Sequence, residues 1–187
     1  MFEQGARGNT FDRWIGLHDI PDVVVVQKMV EAYRAHEPVL SPFPEVPVLL
    51  GRLHLKYKLG LLSDGRLEVQ RRKLRALGFA AYFDAVVFSD EWGESAWKPS
   101  TVPFRAVVER LGTPAYDVVY VADNPAKDFK GAKEIGMATV WVRQTSGIYA
   151  QAEPAGPKYA PDVTVGSLSE LESIIPTLSA IRRRSPA

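Results

Sequence analysis

The tightest constraint on this chain is Val118-Val-Tyr-Val-Ala122, an apolar run that closes at once on Asp123, with Asp128 shortly after it. A buried strand ending in carboxylates where a helix begins is a poor way to build a core. It suits the holding of a cation beside an anionic ligand. The same grammar occurs twice upstream. Lys58-Leu-Gly-Leu-Leu62 ends in Ser63-Asp64-Gly65, and Asp84-Ala-Val-Val-Phe88 ends in Ser89-Asp90. Each run is followed by helical periodicity. RLEVQRRKLRALG stops at Gly78, the stripe Phe104, Val107, Val108, Leu111 stops at Gly112, and Phe129, Ala132, Ile135 stop at Gly136. Pro125 fits a first helical turn, where its missing N–H costs nothing. Ala138-Thr-Val-Trp-Val142 predicts a further strand, Asp162–Val165 an edge strand, and Leu168–Ile175 a last helix. Strands alternating with helices predict an α/β fold with a parallel sheet and right-handed crossovers. In such sheets, sites form outside the carboxyl ends of the strands. Ser63, Asp64, Asp123 and Asp128 are therefore expected to converge, with Lys98 in reach from the loop after Ser89-Asp90.

Upstream the pattern is purely helical. Trp14, Ile15, Leu17 and Ile20 hint at a short helix. The four valines of Val23–Val26 look like a strand, but Val26, Met29, Val30 and Tyr33 fall on one helical face, so a helix is expected between Pro21 or Asp22 and Pro38. Residues 38–47 hold four prolines and read as a rigid connector, so the chain is divided into 1–41 and 42–187. Val46, Leu49, Leu50 and Leu53 then form another helical stripe. A length of 187 residues, 46% apolar and 24% charged, suits one globular domain with a small appendage. The net charge of +1 offers no field for nucleic acid or an anionic membrane, and Arg182-Arg183-Arg184 reads as a solvated terminus. The lack of cysteine excludes disulfides and thiolate metal sites and favours a cytoplasmic location. No apolar stretch approaches the roughly 20 residues of a membrane span, and the start lacks the pattern of a signal peptide.

Each candidate group has two readings. Ser63 and the backbone N–H groups after it suit phosphate oxygens, or Ser63 is a helix cap. Lys98 neutralises a phosphate as a point charge, or is a surface lysine before a proline turn. Asp123 and Asp128 bind Mg2+, a hard cation that takes carboxylates and keeps waters, or they are a helix cap and a first-turn acid favoured by the dipole. His18, His36 and His54 share no spacing that suggests a metal site or triad, and Asp90 and Glu91 read as loop acids.

The order of the signals carries more than any one of them. Ser63 at a strand end, then Lys98-Pro99, then a strand into Ala122-Asp123-Asn124-Pro125-x-x-Asp128 resembles the haloacid dehalogenase superfamily of hydrolases. The resemblance covers roughly residues 42–170, and residues 11–41 look like the end of a helical cap, so 1–41 is expected as a partial cap segment and 42–187 as the core. It implies a three-layer Rossmann-like core and a Mg2+-dependent phosphohydrolase that acts on a small phosphorylated metabolite through an aspartyl-phosphate. It maps catalytic roles onto Ser63 and Lys98, phosphate binding onto Ser63, Asp64, Gly65 and Lys98, and the metal onto Asp123 and Asp128. No nucleic-acid or membrane partner is implied, and a homodimer is compatible with it.

The chain departs from that family in three places. Ala122 replaces a glycine, and Ser63-Asp64-Gly65 replaces Thr-Asn-Gly, which puts an extra negative charge near the phosphate site. The larger departure is that no Asp-x-Asp-x-Thr, the nucleophile motif on the family's central strand, stands upstream of Ser63. Three expectations follow. The chain alone is inactive and holds Mg2+ weakly. The absence reflects truncation or a late start codon, or else a degenerate binding or interaction protein or one half of a split enzyme. And the centre of the sheet must be filled by Val23–Val26, by direct pairing of the flanking strands, or by a partner chain.

Overall fold

The computed structural model describes residues 10–18 and 23–184, and their contacts divide the chain into two units, Met1–Val39 and Leu40–Ala187. The first unit holds α1 (Thr10–Leu17) and α2 (Val23–Ala35), with Phe11 set edge-on to Tyr33 at 6.0 Å between ring centroids. The four valines are thus helical, as the stripe of Val26, Met29 and Val30 requires. These three are only half-buried and Tyr33 is 53% exposed. Ile15 is buried, whereas Trp14 and Leu17 remain exposed. The expected helix start at Pro21 or Asp22 lies outside the described residues, as does Ile20.

The second unit is the α/β core. Its elements run α3 (Val46–His54), β1 (Gly60–Ser63), α4 (Leu67–Leu77), β2 (Ala85–Phe88), α5 (Val102–Leu111), β3 (Val119–Ala122), α6 (Asp128–Glu134), β4 (Ala138–Val142), β5 (Val163–Val165) and α7 (Leu171–Arg184). All ladders are parallel. Gly60 pairs with Ala85, Val119 with Ala138 and Val140 with Val163. Gly78, Gly112 and Gly136 adopt positive φ where α4, α5 and α6 end, so the three predicted stops are real. Pro125 is the exception. It sits in the turn before α6, because Asn124 folds that turn: its carbonyl accepts from Asp128 N–H at 3.0 Å and its Oδ1 accepts from Ala126 N–H at 3.0 Å.

Strand alternation feeds two clusters, one on each face of the sheet. Leu49 and Leu53 of α3 and Leu171 and Leu178 of α7 pack with Val140 and Val142. Phe104, Val107 and Leu111 of α5 pack with Val87, Ala132 and Met137. Val119 and Val121 of β3 serve one face, and Tyr120 with Val118 just before the strand the other. This is the three-layer arrangement expected. The sheet is nevertheless in two parts among the described residues, β1–β2 and β3–β4–β5. The flanking strands have not paired, and Val23–Val26 belongs to α2, so two of the three ways of filling the centre are not taken.

Asp90 is more than a loop acid. The residue before α4, Arg66, offers no side-chain cap, and the Leu67 N–H donates instead to Asp90 Oδ2 at 2.9 Å, while Trp97 Nε1 donates to Oδ1 at 3.0 Å. One carboxylate caps a helix from a distant loop and pins that loop. Asp90→Ala is expected to cost about 1–2 kcal/mol, the range of a lost cap, with Asp90→Asn recovering part of it. Urea unfolding of the two variants measures both.

Candidate active site

The site forms where β1, β2 and β3 end. After β1 the chain turns through Gly65, whose φ of 116° disfavours any side chain, and an added Cβ there would lie 2.7 Å from Gln70 Nε2. Ser63 Oγ donates to Gln70 Oε1 at 3.0 Å. It does not cap α4, since Asp90 does that, so its hydroxyl is held at the strand end by a neutral partner. The buried Ser89 hydroxyl donates to the Ser63 carbonyl at 3.3 Å and ties the ends of β1 and β2.

The extra charge of Asp64 is absorbed locally. Lys127 Nζ donates to its Oδ2 at 2.9 Å and the Lys98 N–H to its Oδ1 at 3.3 Å. Burial alone would raise the Asp64 carboxyl, but Lys98 and Lys127 hold it below the ordinary aspartate value. The expected repulsion of a phosphate is thus offset by two cations.

Lys98 is not a surface lysine. Its side chain is 9% exposed, and its Nζ lies 2.7 Å from Asp128 Oδ1 and donates to the Tyr120 hydroxyl at 3.1 Å. Burial pulls the ammonium down, but Tyr120, Asp128 and Asp64 hold it above the ordinary lysine range. It stays charged across physiological pH. The Tyr120 hydroxyl is pushed up to about 12, chiefly by burial and against the pull of Lys98. The loop carrying Lys98 reaches inward because α6 gives way to it. A Cβ on Gly131 would lie 2.5 Å from the Pro99 carbonyl oxygen and 2.7 Å from the Phe104 ring.

The two acids of the opening stretch have different surroundings. Asp128 is 2% exposed, with Oδ1 on Lys98 and Oδ2 accepting the Asn124 N–H at 3.0 Å. It stands in the first turn of α6, the place expected for this acid, with Lys98 as its ion-pair partner; no side chain caps this helix, so Asp123 is not its cap. Asp123 stands exposed on the rim, its backbone carbonyl accepting from Trp141 Nε1 at 2.9 Å. Partial burial and the Asp128 charge push its carboxyl above the ordinary aspartate value. This acid is short of positive charge.

The structure therefore brings Ser63, Asp64, Gly65, Lys98 and Asp128 to one rim with Asp123. Sequence reasoning missed Lys127, Tyr120, Gln70 and Gly131. Tyr120 had a signal, since a tyrosine within a buried strand needs a partner for its hydroxyl. So had Gly131, a lone glycine inside a helical pattern.

A sequence profile of haloacid dehalogenase-like hydrolases matches residues 10–142. The chain belongs to that family. It is 34% identical over 156 residues to a glyceraldehyde 3-phosphate phosphatase of Methanocaldococcus jannaschii, an alignment of 83% of this chain and 65% of that protein. It is 32% identical to a phosphoserine phosphatase of Thermus thermophilus over 78% of this chain and 55% of that one. The chain thus spans less than two thirds of either relative. Among solved structures, a HAD phosphatase from Thermococcus onnurineus superposes with a TM-score of 0.61 at 28% identity, over 88% of this chain and 69% of that one. Each of these three proteins is described as a phosphatase.

The Asp123 surroundings make a prediction about stability. Its folded pKa is raised, so the folded chain binds the proton more tightly, and stability falls as pH climbs from the ordinary aspartate value through the raised one. At neutral pH the ionised carboxylate is a small cost. Asp123→Asn is expected to raise Tm slightly at pH 7 without added metal, and to leave it unchanged below the ordinary aspartate pKa. Thermal melts at the two pH values decide this.

Proposed function

We propose that this chain carries the phosphate- and metal-binding parts of a Mg2+-dependent phosphohydrolase for a small phosphorylated metabolite, working through an aspartyl-phosphate. The observation that carries the reading is Lys98, a buried and permanently charged lysine fixed by Asp128 and Tyr120 on the rim shared with Ser63 and Asp123. A buried cation fixed in advance is how developing phosphoryl charge is stabilised.

The roles follow from the contacts. Ser63 Oγ would turn from Gln70 to donate to a phosphoryl oxygen, with the backbone N–H groups of Asp64 and Gly65 beside it. Lys98 would donate to a second oxygen while Asp128 and Tyr120 keep its Nζ in place. Asp64 would hold Lys127 at the rim, adding positive charge on the substrate side. Asp123 fits a divalent cation, being exposed and short of positive charge, and Mg2+ needs only one or two protein carboxylates. Asp128 would add negative charge to that site while its oxygens serve Lys98 and Asn124. When bound, Mg2+ would neutralise the transferring phosphoryl group.

The nucleophile is not in this set. Asp64 is tied to Lys127, Asp128 to Lys98, and Asp123 is the metal acid. Without a free carboxylate, positioning and charge stabilisation have no bond to make. The chain alone is therefore read as catalytically silent, with Mg2+ held weakly. The split β1–β2 and β3–β4–β5 sheets favour, as second reading, one half of an enzyme completed by another segment. The charge of +1 gives no reason to expect nucleic acid, and no helix among the described residues is long and apolar enough to cross a membrane. A cytoplasmic location and a homodimer remain part of the proposal.

Hydrolysis of p-nitrophenyl phosphate by this chain in Mg2+ is expected at background rate. Magnesium-dependent turnover that disappears in Asp123→Ala would overturn that expectation. Once a nucleophilic carboxylate is supplied, Lys98→Ala and Asp123→Ala should each lower kcat by about 10²–10³, while Asp90→Ala leaves kcat near the parent value.

A further inference from the structure

The last rung between β3 and β4 pairs Ala122 with Trp141, so Asp123 is the first residue past the ladder. A carbonyl at that point still needs a donor. Trp141 supplies it, its Nε1 donating to the Asp123 carbonyl at 2.9 Å. The indole has a need of its own. It is 3% exposed, and its single N–H must find an acceptor when buried. Val140 and Val142 pack with α3 and α7, so alternation along β4 sends the indole between them to the opposite face. There the Arg143 guanidinium lies 4.7 Å from the ring centroid. That guanidinium is itself tied, with Nε donating to the Ala150 carbonyl at 2.8 Å and Nη2 to Glu153 at 2.9 Å.

The bond grips one peptide group from one pole while Asp128 grips the other. The Asp123 carbonyl and the Asn124 N–H belong to the same planar unit. Trp141 holds the oxygen, and Asp128 Oδ2 accepts from the nitrogen at 3.0 Å. With that plane fixed at both ends, the backbone on which the Asp123 side chain stands is fixed as well. The carboxylate is left on the exposed rim, while Asn124 beside it is buried.

We propose that Trp141 is a positioning residue for divalent-cation binding: by holding the Asp123–Asn124 peptide against Asp128, it aims the Asp123 carboxylate at the cation. The inference rests on the reading of Asp123 as the metal acid. Trp141 itself touches no metal in this scheme. It acts through the main chain of the ligand rather than through its carboxylate. Groups that orient a metal ligand in this way are typically worth about 10–100-fold in affinity.

The test uses the full chain and Mn2+, which takes the same oxygen ligands as Mg2+ and whose free-ion paramagnetic resonance signal falls on binding. Trp141→Phe keeps an aromatic ring and loses the donor, and it should weaken Mn2+ binding about tenfold. In an Asp123→Asn background the same substitution should weaken it no further, because the route to the metal is gone. Leu178→Ala opens a cavity in the cluster on the other face, so it should lower Tm and leave Mn2+ affinity at the parent value. A loss from Trp141→Phe that is equal with and without Asp123, or one that Leu178→Ala reproduces, would overturn the proposal. If Asp123→Asn leaves Mn2+ affinity unchanged, the metal reading falls, and the Asn124 amide then judges the grip on the peptide by itself. Exchange about five- to tenfold faster in Trp141→Phe upholds that grip, and an unchanged rate overturns it. Where Trp141→Phe fails to fold, the indole N–H of Trp141 in the unaltered, 15N-labelled chain decides: slow exchange supports the bond, and exchange at the rate of an exposed indole overturns it.

Discussion

Two crossed ion pairs join the half-sheets at their carboxyl ends. Lys98, from the loop after β2, reaches Asp128 at the start of α6, and Lys127, from the turn after β3, reaches Asp64 at the end of β1. No backbone ladder connects these ends among the described residues, so side chains fix the relation of the turn after β1 to the acidic turn after β3. The two pairs differ in weight. Lys98 and Asp128 are 9% and 3% exposed at their side chains, and removal of one partner from a buried pair typically costs about 3–5 kcal/mol. Lys127 is 37% exposed, and screening makes its pair with Asp64 worth less.

This arrangement gives two of the three acids a base, and the charge balance of the site follows. Asp64 is neutralised, Asp128 positions, and Asp123 alone is left wanting positive charge. In the proposed function the metal role therefore falls on one exposed carboxylate, backed by a second that is already committed. The parts proposed to face phosphate are more complete, with a neutral hydroxyl, a turn whose backbone favours glycine and a lysine that stays charged.

Most of the fold was legible because its signals are local. The run Val118–Ala122, its acidic end and the glycine stops at Gly78, Gly112 and Gly136 depend on neighbours within a turn or two, and periodicity reports them well. The helical nature of Val23–Val26 was legible for the same reason, although strand propensity argued against it. Long-range pairings were not. Nothing near Asp90 says that it caps a helix starting at Leu67, and nothing near Lys127 says that it answers Asp64. The second acid's service to Lys98 was equally hidden, since spacing shows that two carboxylates are close and not which cation claims them. That β1–β2 and β3–β4–β5 remain separate sheets among the described residues was hidden too, since the pairing of strand edges is long-range.

Gly131 has a further consequence. With 2.5 Å from its virtual Cβ to the Pro99 carbonyl oxygen, helix and loop touch backbone to backbone. The depth to which Lys98 enters the site is therefore gauged by main-chain atoms, which cannot shorten, lengthen or change rotamer. A side chain at position 131 would have to displace the loop, and with it the lysine that Asp128 and Tyr120 hold.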